Sequence, residues 1–318
     1  QQAWSERLCA LLGVSRHMLP EIGAPTQIAG QITPDAAEAT GLEPGTPVVY
    51  GGGDSHCALV GLGVLGSGEA GLLLGSNSTL RASFDGLVKL PEQMVWVQQH
   101  VAPGRFTVSS SSMAGSSVLS WFRGICFEEG REEAAIYREL ETLAHSIPAG
   151  SDGLLFHPYL FGERSPFYNP EARGAFLGLR HWFGRGHFVR SIMEGVAFAI
   201  ANCLDAVQAI ARERGEEVAV LRTGQSGGSQ LPIWRQIITD AVDHDLEVVA
   251  VDEPGCLGVA LLAGVGAGIY GSIASAVQRT VRIAEHASAD PANAALYRDH
   301  RLRFNDTYRA LEARLYDN

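Results

Sequence analysis

The chain of 318 residues is long enough for about two domains of ordinary size. Hydrophobic residues make up 46% of it and charged residues 19%, a composition that predicts folded domains with a substantial core rather than disorder. The 24 lysines and arginines against 35 acids give a net charge of −11, which argues against nucleic acid and against an anionic membrane surface as partners.

The cysteines and histidines exclude several kinds of site. The five cysteines are scattered and form no C-x-x-C pair, which excludes a disulfide scaffold or a zinc ribbon and is typical of a reducing compartment. The histidines form no H-x-x-x-H or H-E-x-x-H pattern, so metal ligands stay unassigned. No apolar run reaches the ~18 residues of a membrane span, and no signal-peptide pattern opens the chain, so we expect a cytoplasmic protein.

The predicted elements alternate between helices and strands, which is typical of the α/β class. In chain order we predict a helix at 4–12, a helix at 34–40, a strand at 48–50, a helix at 55–64, strands at 70–74, 94–100 and 106–110, helices at 116–125 and 132–145, a long helix through 188–210, a strand at 218–221, a helix with Pro232 in its first turn, a strand at 247–251, a helix at 257–268 and a helical carboxyl-terminal end.

Residues 61–66 match the dinucleotide fingerprint G-x-G-x-x-G literally, and Asp85 follows at the expected distance. The predicted context is the reverse of the one that the fingerprint requires, since these glycines end a helix and lead to a strand. We therefore interpret them as a helix end and a turn. The alternative, a dinucleotide-dependent oxidoreductase, depends on these glycines alone.

Asp54 follows three glycines at the end of a predicted strand. Burying an unpaired carboxylate is costly, and glycines let another backbone or a ligand approach closely, so this position is typical of a functional acid. Asp54 could act as a general base for a substrate hydroxyl or could help to hold a metal. It could equally be the N-cap of the helix that follows. Spacing alone leaves these interpretations open.

Two further loops combine glycine with hydroxyl side chains at strand ends. Gly75, Ser76 and Asn77 offer backbone amides and hydroxyls for phosphate oxygens, although a tight polar turn explains the same residues. Residues 226–229 precede a predicted helix, where free amides attract anions and where Ser229 could serve as a cap. Three such loops in one α/β chain favour the binding of nucleotide phosphate.

Several segments resemble the FGGY carbohydrate kinases, a branch of the actin-like ATPase (ribonuclease H-like) fold. The resemblance is collinear from about residue 4 to the end and is carried by GAFLGL at 174–179 with HFVRSIMEG at 187–195, PYLFGERSP at 158–166, NPEARG at 169–174, the adenosine motif around Gly227, Gly228 and 234–240, and Glu253 with 257–263. It implies an ATP-dependent kinase that phosphorylates a hydroxyl of a sugar or polyol.

The resemblance also implies roles for individual residues. Asp54 corresponds to the family's catalytic base, and Gly75, Ser76 and Asn77 to its phosphate loop. Gly227, Gly228 and Ser229 correspond to the adenosine loop; Ser55 stands where the family usually has glutamine or asparagine, at a substrate contact. ATP and Mg²⁺ are the implied cofactors, and a small carbohydrate is the implied partner, with a homodimer as the oligomer considered.

The family's first phosphate loop, D-x-G-T-x-x-R, has no counterpart in this sequence. We therefore expect residues 1–68 to be the carboxyl-terminal remnant of a sugar-binding first domain and 69–318 to be an ATP-binding second domain. The favoured function is an ATP-dependent kinase for a ketopentose of the xylulose type. The alternative is a non-catalytic nucleotide-binding module that lacks the first lobe.

Overall fold

The computed structural model describes residues 3–89, 94–127 and 130–316, so the outermost residues of both predicted domains, 1–2 and 317–318, lie outside the described residues. In chain order its elements are α1 (Glu6–Leu12), β1 (Ile28–Gln31), α2 (Pro34–Thr40), β2 (Pro47–Val49), α3 (Asp54–Gly61), β3 (Glu69–Leu74), β4 (Ser78–Asp85), β5 (Trp96–Gln99), β6 (Arg105–Ser112), α4 (Ser116–Cys126), α5 (Glu133–His145), β7 (Leu155–His157), β8 (Ala175–Leu177), α6 (Arg185–Glu213), β9 (Val220–Thr223), α7 (Pro232–Val242), β10 (Leu246–Val249), α8 (Pro254–Gly266), α9 (Ile273–Thr280), β11 (Ile283–Ala287) and α10 (Pro291–Leu311).

A seven-stranded mixed sheet forms the centre, with strand order β11-β10-β9-β3-β4-β6-β5. The strands β3, β9 and β10 are parallel to one another, and the remaining neighbours are antiparallel. Two small antiparallel pairs, β1 with β2 and β7 with β8, lie outside this sheet. Because parallel strands end at one edge of a sheet, the loops after β3, β9 and β10 share that edge.

Helices cover both faces of the sheet, because alternate residues of each strand point to opposite sides. Leu72 and Leu74 of β3 belong to the main core, together with the long helix α6 and with α7. Leu73 of the same strand packs into a smaller cluster with α3. By length and composition α6 could cross a membrane, but 78% of its most apolar stretch is buried inside this fold. It is the central helix of the core.

The two helices of the second face, α3 and α8, pack with their backbones in direct contact. A Cβ atom added at Gly61 would lie 1.9 Å from the carbonyl oxygen of Pro254, and one added at Gly258 would lie 1.8 Å from that of Cys57. Only glycine permits so close an approach. This contact fixes the position of α3, whose first residue is Asp54, against the sheet.

The predicted α/β class is confirmed, whereas the number of strands was underestimated. The strands β1, β4, β7, β8 and β11 were not predicted. In β4 the omission had a physical cause: its sequence begins with two polar residues, Ser78 and Thr79, directly after the predicted polar loop. The segment is nevertheless a strand because its backbone pairs on both sides, with β3 and β6. The interpretation of residues 61–66 as a helix end and a turn is confirmed, since α3 ends at Gly61 and β3 begins at Glu69.

Candidate functional site

Two of the predicted loops lie side by side at the carboxyl edge of the parallel strands. In the register of β3 and β9, Leu72 is opposite Thr223, the last residue of β9, and β3 continues two residues further to Leu74. The residue Gly227 has φ +57°, and a Cβ atom there would lie 2.2 Å from the carbonyl oxygen of Leu74 and 3.5 Å from the Cα of Gly75. The structure thus brings the predicted adenosine loop against the predicted phosphate loop.

Ser116, the first residue of α4, joins these two loops. Its hydroxyl donates to the carbonyl oxygen of Leu74 at 3.2 Å and accepts from the backbone N–H of Gly228 at 2.8 Å. Its own N–H donates to the carbonyl oxygen of Gly75 at 2.8 Å. The sequence analysis gave Ser116 only as the start of the helix predicted at 116–125, because its role here depends on residues far away in the chain.

The loop at Gly75 and Ser76 is held through its backbone. Both the N–H and the hydroxyl of Ser117 donate to the carbonyl oxygen of Ser76, the hydroxyl at 2.6 Å. Gly75 and Ser76 remain exposed, and Asn77 is half-buried. The amino-terminal end of α4 faces this loop, and a helix amino terminus favours negative charge. The arrangement is suited to phosphate oxygens.

A cavity of about 660 Å³ opens beside these loops, between α4, α5 and α7. Its walls include Gly227, Gly228 and Tyr137, and Trp234 closes its inner side. The indole of Trp234 is fully buried, and its Nε1 donates to the carbonyl oxygen of Met193 at 3.1 Å, so this wall is rigid. The volume lies in the range of small-molecule sites, and the cavity adjoins the phosphate loop through Ser116.

Asp54 is exposed at the first position of α3, and the N-cap of that helix is Gly53. The carboxylate does not cap the helix by bonding to the second or third amide; it accepts the N–H of the adjacent Ser55 at 2.6 Å. The interpretation of Asp54 as the N-cap is therefore wrong. The carboxylate retains free acceptor positions for a substrate or a metal.

Ser55 lies across a second, smaller cavity from the start of β4. This cavity, of about 290 Å³, is lined by Ser55, Thr79 and Arg81 among others. Burial, with help from Arg81, lowers the pKa of the neighbouring His56 to about 4, while Asp54 opposes this shift. The imidazole is therefore neutral at pH 7. Thr79 of β4, two residues after the predicted phosphate loop, thus shares this cavity with Ser55, and neither residue lines the large cavity.

Ser229 differs from its predicted role as a helix cap. The helix α7 begins at Pro232 with Leu231 as its N-cap, whereas Ser229 lies within the short 3₁₀ helix Gly227–Gln230 that precedes α7. Its buried hydroxyl donates to the carbonyl oxygens of Gly224 at 2.8 Å and Ser226 at 2.5 Å. Ser229 therefore shapes the loop from within, and Gly227 and Gly228 form the part of it that lines the cavity.

Comparisons with known proteins identify the family of this chain. The model of the carboxyl-terminal domain of the FGGY family of carbohydrate kinases matches residues 76–267, and that of the amino-terminal domain matches residues 1–61. The xylulose kinase of Klebsiella pneumoniae is 32% identical over 263 residues, which cover 82% of this chain and 52% of that protein. The gluconokinase of Bacillus subtilis (strain 168) is 28% identical over 272 residues, which cover 81% and 50%.

Solved structures confirm the actin-like ATPase fold that the sequence predicts. The xylulose kinase from Rhodospirillum rubrum superposes with a TM-score of 0.82 at 26% identity, and the match covers 97% of this chain and 60% of that one. The chain spans about half the length of the curated relatives it matches.

Proposed function

Because the chain belongs to the FGGY family of carbohydrate kinases, we propose that it carries the nucleotide-binding part and the catalytic base of an ATP-dependent sugar or polyol kinase. The reaction transfers the γ-phosphoryl group of ATP to a hydroxyl of a small carbohydrate; the family resemblance favours a ketopentose of the xylulose type, and a polyol and an aldonate are the alternatives. The observation that carries the proposal is the contact between two glycine loops beside a cavity of nucleoside size.

The large cavity takes the adenosine, and the loop at Gly75, Ser76 and Asn77 takes the phosphates. This order follows from geometry, because Gly227 and Gly228 line the cavity and Gly227 also lies against Gly75 of the phosphate loop. Ser229 holds the adenosine loop in shape from behind. Phosphoryl transfer needs mainly positioning and charge stabilisation, which fixed backbone amides and a helix amino terminus supply.

Asp54 takes the proton of the acceptor hydroxyl. The hydroxyl oxygen then forms a bond to the γ-phosphorus, the bond from that phosphorus to the bridging oxygen of ADP breaks, and the electron pair leaves with ADP. Asp54 suits this role because it is exposed, lies close to Ser55 at the acceptor side and accepts a single hydrogen bond. Ser55 contacts the carbohydrate.

Mg²⁺ accompanies the nucleotide in this proposal. No group of three or more histidine, cysteine, aspartate or glutamate side chains in the described part of the chain could hold a metal ion. Mg²⁺ in kinases is held mainly by substrate phosphates and waters, with one or two carboxylates, and Asp54 is assigned in this proposal to the base and not to the metal. Mg²⁺ neutralises phosphate charge when bound.

The division at residues 68 and 69 belongs to the same proposal. It is supported by the start of β3 at Glu69 and by the separate family matches on either side of it. We place the reaction in the cytoplasm, where ATP is available, and a homodimer is the assembly to examine.

The test is sugar-dependent formation of ADP by the full-length protein with MgATP, over ketopentoses, gluconate, glycerol and erythritol. We expect Asp54→Asn to reduce kcat by about 10²- to 10⁴-fold, as loss of a general base does, while ATP still binds. Asp35→Asn is the matched control, since Asp35 also lies in the first turn of a helix, α2. ATP binding without ADP formation on any acceptor would favour the non-catalytic module. Equal rates for Asp54→Asn and the wild type would exclude Asp54 as the base.

A further inference from the structure

The 290 Å³ cavity beside Ser55 is built from one polar face of the sheet. Alternate residues of a strand share a face, and the register pairs Thr79 with Ser111 and Arg81 with Ser109 across β4 and β6. Trp96 of β5 lies opposite Ser109 on the next strand. Arg164, from the loop after β7, completes the wall. The cavity is thus lined by hydroxyl groups, an indole and two guanidinium groups.

Several donors in this wall lack a protein partner. Arg81 is only 7% exposed, yet its Nε and Nη1 atoms have no hydrogen-bond partner among the described residues. The same is true of the hydroxyl of Ser109, which is 2% exposed, and of Nε of Arg164. Native proteins satisfy most buried polar groups, because an unsatisfied one costs free energy. A cluster of unsatisfied donors therefore indicates a bound acceptor.

The cavity also contains two guanidinium groups that form no ion pair with a protein acid. In residues 3–89, 94–127 and 130–316, no carboxylate oxygen lies within 4.0 Å of a guanidinium nitrogen of Arg81 or Arg164, and the neighbouring Glu163 accepts from Arg164 only the backbone N–H, at 2.7 Å. Arg164 donates from Nη2 to the hydroxyl of Ser111 at 2.8 Å, and its guanidinium lies 5.3 Å from the ring centre of Trp96. Burial lowers the pKa of Arg81, and the charge of Asp54 partly opposes this effect at longer range.

The position of the cavity identifies what it binds. Ser55 is one of its walls and is adjacent to Asp54, so the cavity is on the acceptor side of the proposed reaction. A neutral sugar would accept hydrogen bonds here but bring no negative charge to either guanidinium group, whereas a carboxylate supplies the charge and matches their planar, two-donor geometry. We propose that Arg81, Arg164 and Ser109 bind the carboxylate of an acid carbohydrate, so that the phosphoryl acceptor is an aldonate rather than a neutral ketose; this inference rests on the proposed kinase function.

Binding in the absence of ATP tests the inference directly. Isothermal titration of the full-length protein would compare D-gluconate with D-glucitol, which has the same six-carbon chain and a hydroxymethyl group in place of the carboxylate. We expect gluconate to bind about 10- to 100-fold more tightly, the range that hydrogen bonds to charged groups supply. Equal affinities, or inorganic phosphate binding as tightly as gluconate (an adventitious ion only), would overturn the carboxylate assignment.

Variants assign the preference to the two arginines. Arg81→Met and Arg164→Met should each remove most of the preference for gluconate. Arg81→Lys should keep part of it, since lysine keeps the positive charge but lacks the planar, two-donor geometry of the guanidinium group. Arg298→Met is the control, because Arg298 pairs with Asp243 on the surface of α10 and lies outside this cavity. Preference for gluconate in both methionine variants would overturn the assignment.

Stability separates a binding role from a structural one. If the Arg81 guanidinium has no protein partner, methionine of similar length should leave the melting temperature unchanged or raise it. A lower melting temperature with an unchanged gluconate preference would overturn the inference. If Arg81→Met fails to fold, the same two measurements on Arg164→Met test the inference, because Arg164 is only half-buried.

The outcome is distinguishable from that of the kinase proposal. ADP formation with neutral sugars that depends on Asp54, without a preference for gluconate, overturns the acid acceptor and leaves the kinase. A preference for gluconate without ADP formation on any acceptor would overturn the kinase proposal and leave the binding of a carboxylate in this cavity.

Discussion

Replacing Gly258 by alanine tests whether the contact between α3 and α8 positions Asp54. The added Cβ atom would lie 1.8 Å from the carbonyl oxygen of Cys57, a distance that real Cβ atoms do not reach. The obstacle is backbone and cannot rotate away, so the two helices must separate by about 1 Å or more. Asp54, at the amino terminus of α3, moves with its helix.

The magnitude follows from two opposing effects. Overpacking a tight contact typically costs about 1–3 kcal/mol, whereas glycine to alanine inside a helix gains about 0.5–1 kcal/mol. Gly255→Ala is the matched control, since Gly255 lies on the same helix and its added Cβ would meet only the carbonyl oxygen of Asp54 at an ordinary 3.7 Å. Both variants share the helix gain, so we expect their unfolding free energies to differ by the overpacking cost alone, about 1–3 kcal/mol.

Urea denaturation followed by far-ultraviolet circular dichroism measures the stability of both variants, and initial rates of ADP formation measure catalysis. A displacement of about 1 Å at a catalytic group can cost about 10²-fold in rate. Gly258→Ala should therefore lose activity to that extent even under conditions in which the variant is folded. Equal stability and equal rates for the two variants would refute the reasoning, because the contact would then not control the position of Asp54.

Two further predictions concern pH and nucleotide binding. Burial lowers the pKa of His100 and of His157 to about 4, below the unfolded value of 6.5. The unfolded chain therefore binds more protons between pH 4 and 6.5, and each histidine should lower the unfolding free energy by about 1.4 kcal/mol for each unit by which the pH falls through that window. His157→Gln should reduce the slope of unfolding free energy against pH by this amount, and an unchanged slope would contradict the assignment. Gly227→Ala should weaken ATP binding about tenfold or more by calorimetry, because its Cβ would collide with the carbonyl oxygen of Leu74; Gly215→Ala, which also has a positive φ but an open surrounding, should bind ATP normally.

The sequence by itself determined the features that depend on neighbouring residues. The apolar period of α6 and the alternation of helices and strands predicted the α/β class, because helix and strand periodicity is local. Glycine and hydroxyl residues at strand ends located the two loops at Gly75 and Gly227 for the same reason. Motif spacing, also a local property, identified the family that the comparisons show.

Only the tertiary structure decided which distant residues meet. Ser116 joins the two loops across 42 positions from Leu74, and Arg164 bonds to Ser111 across 53. The polar start of β4 is a strand because β3 and β6 both satisfy its backbone hydrogen bonds, which no local pattern can show. The unsatisfied donors of Arg81 and Ser109 likewise follow from burial, since in the unfolded chain water would satisfy them. Burial and pairing between distant segments are properties of the folded chain, and they placed the charges of the acceptor site.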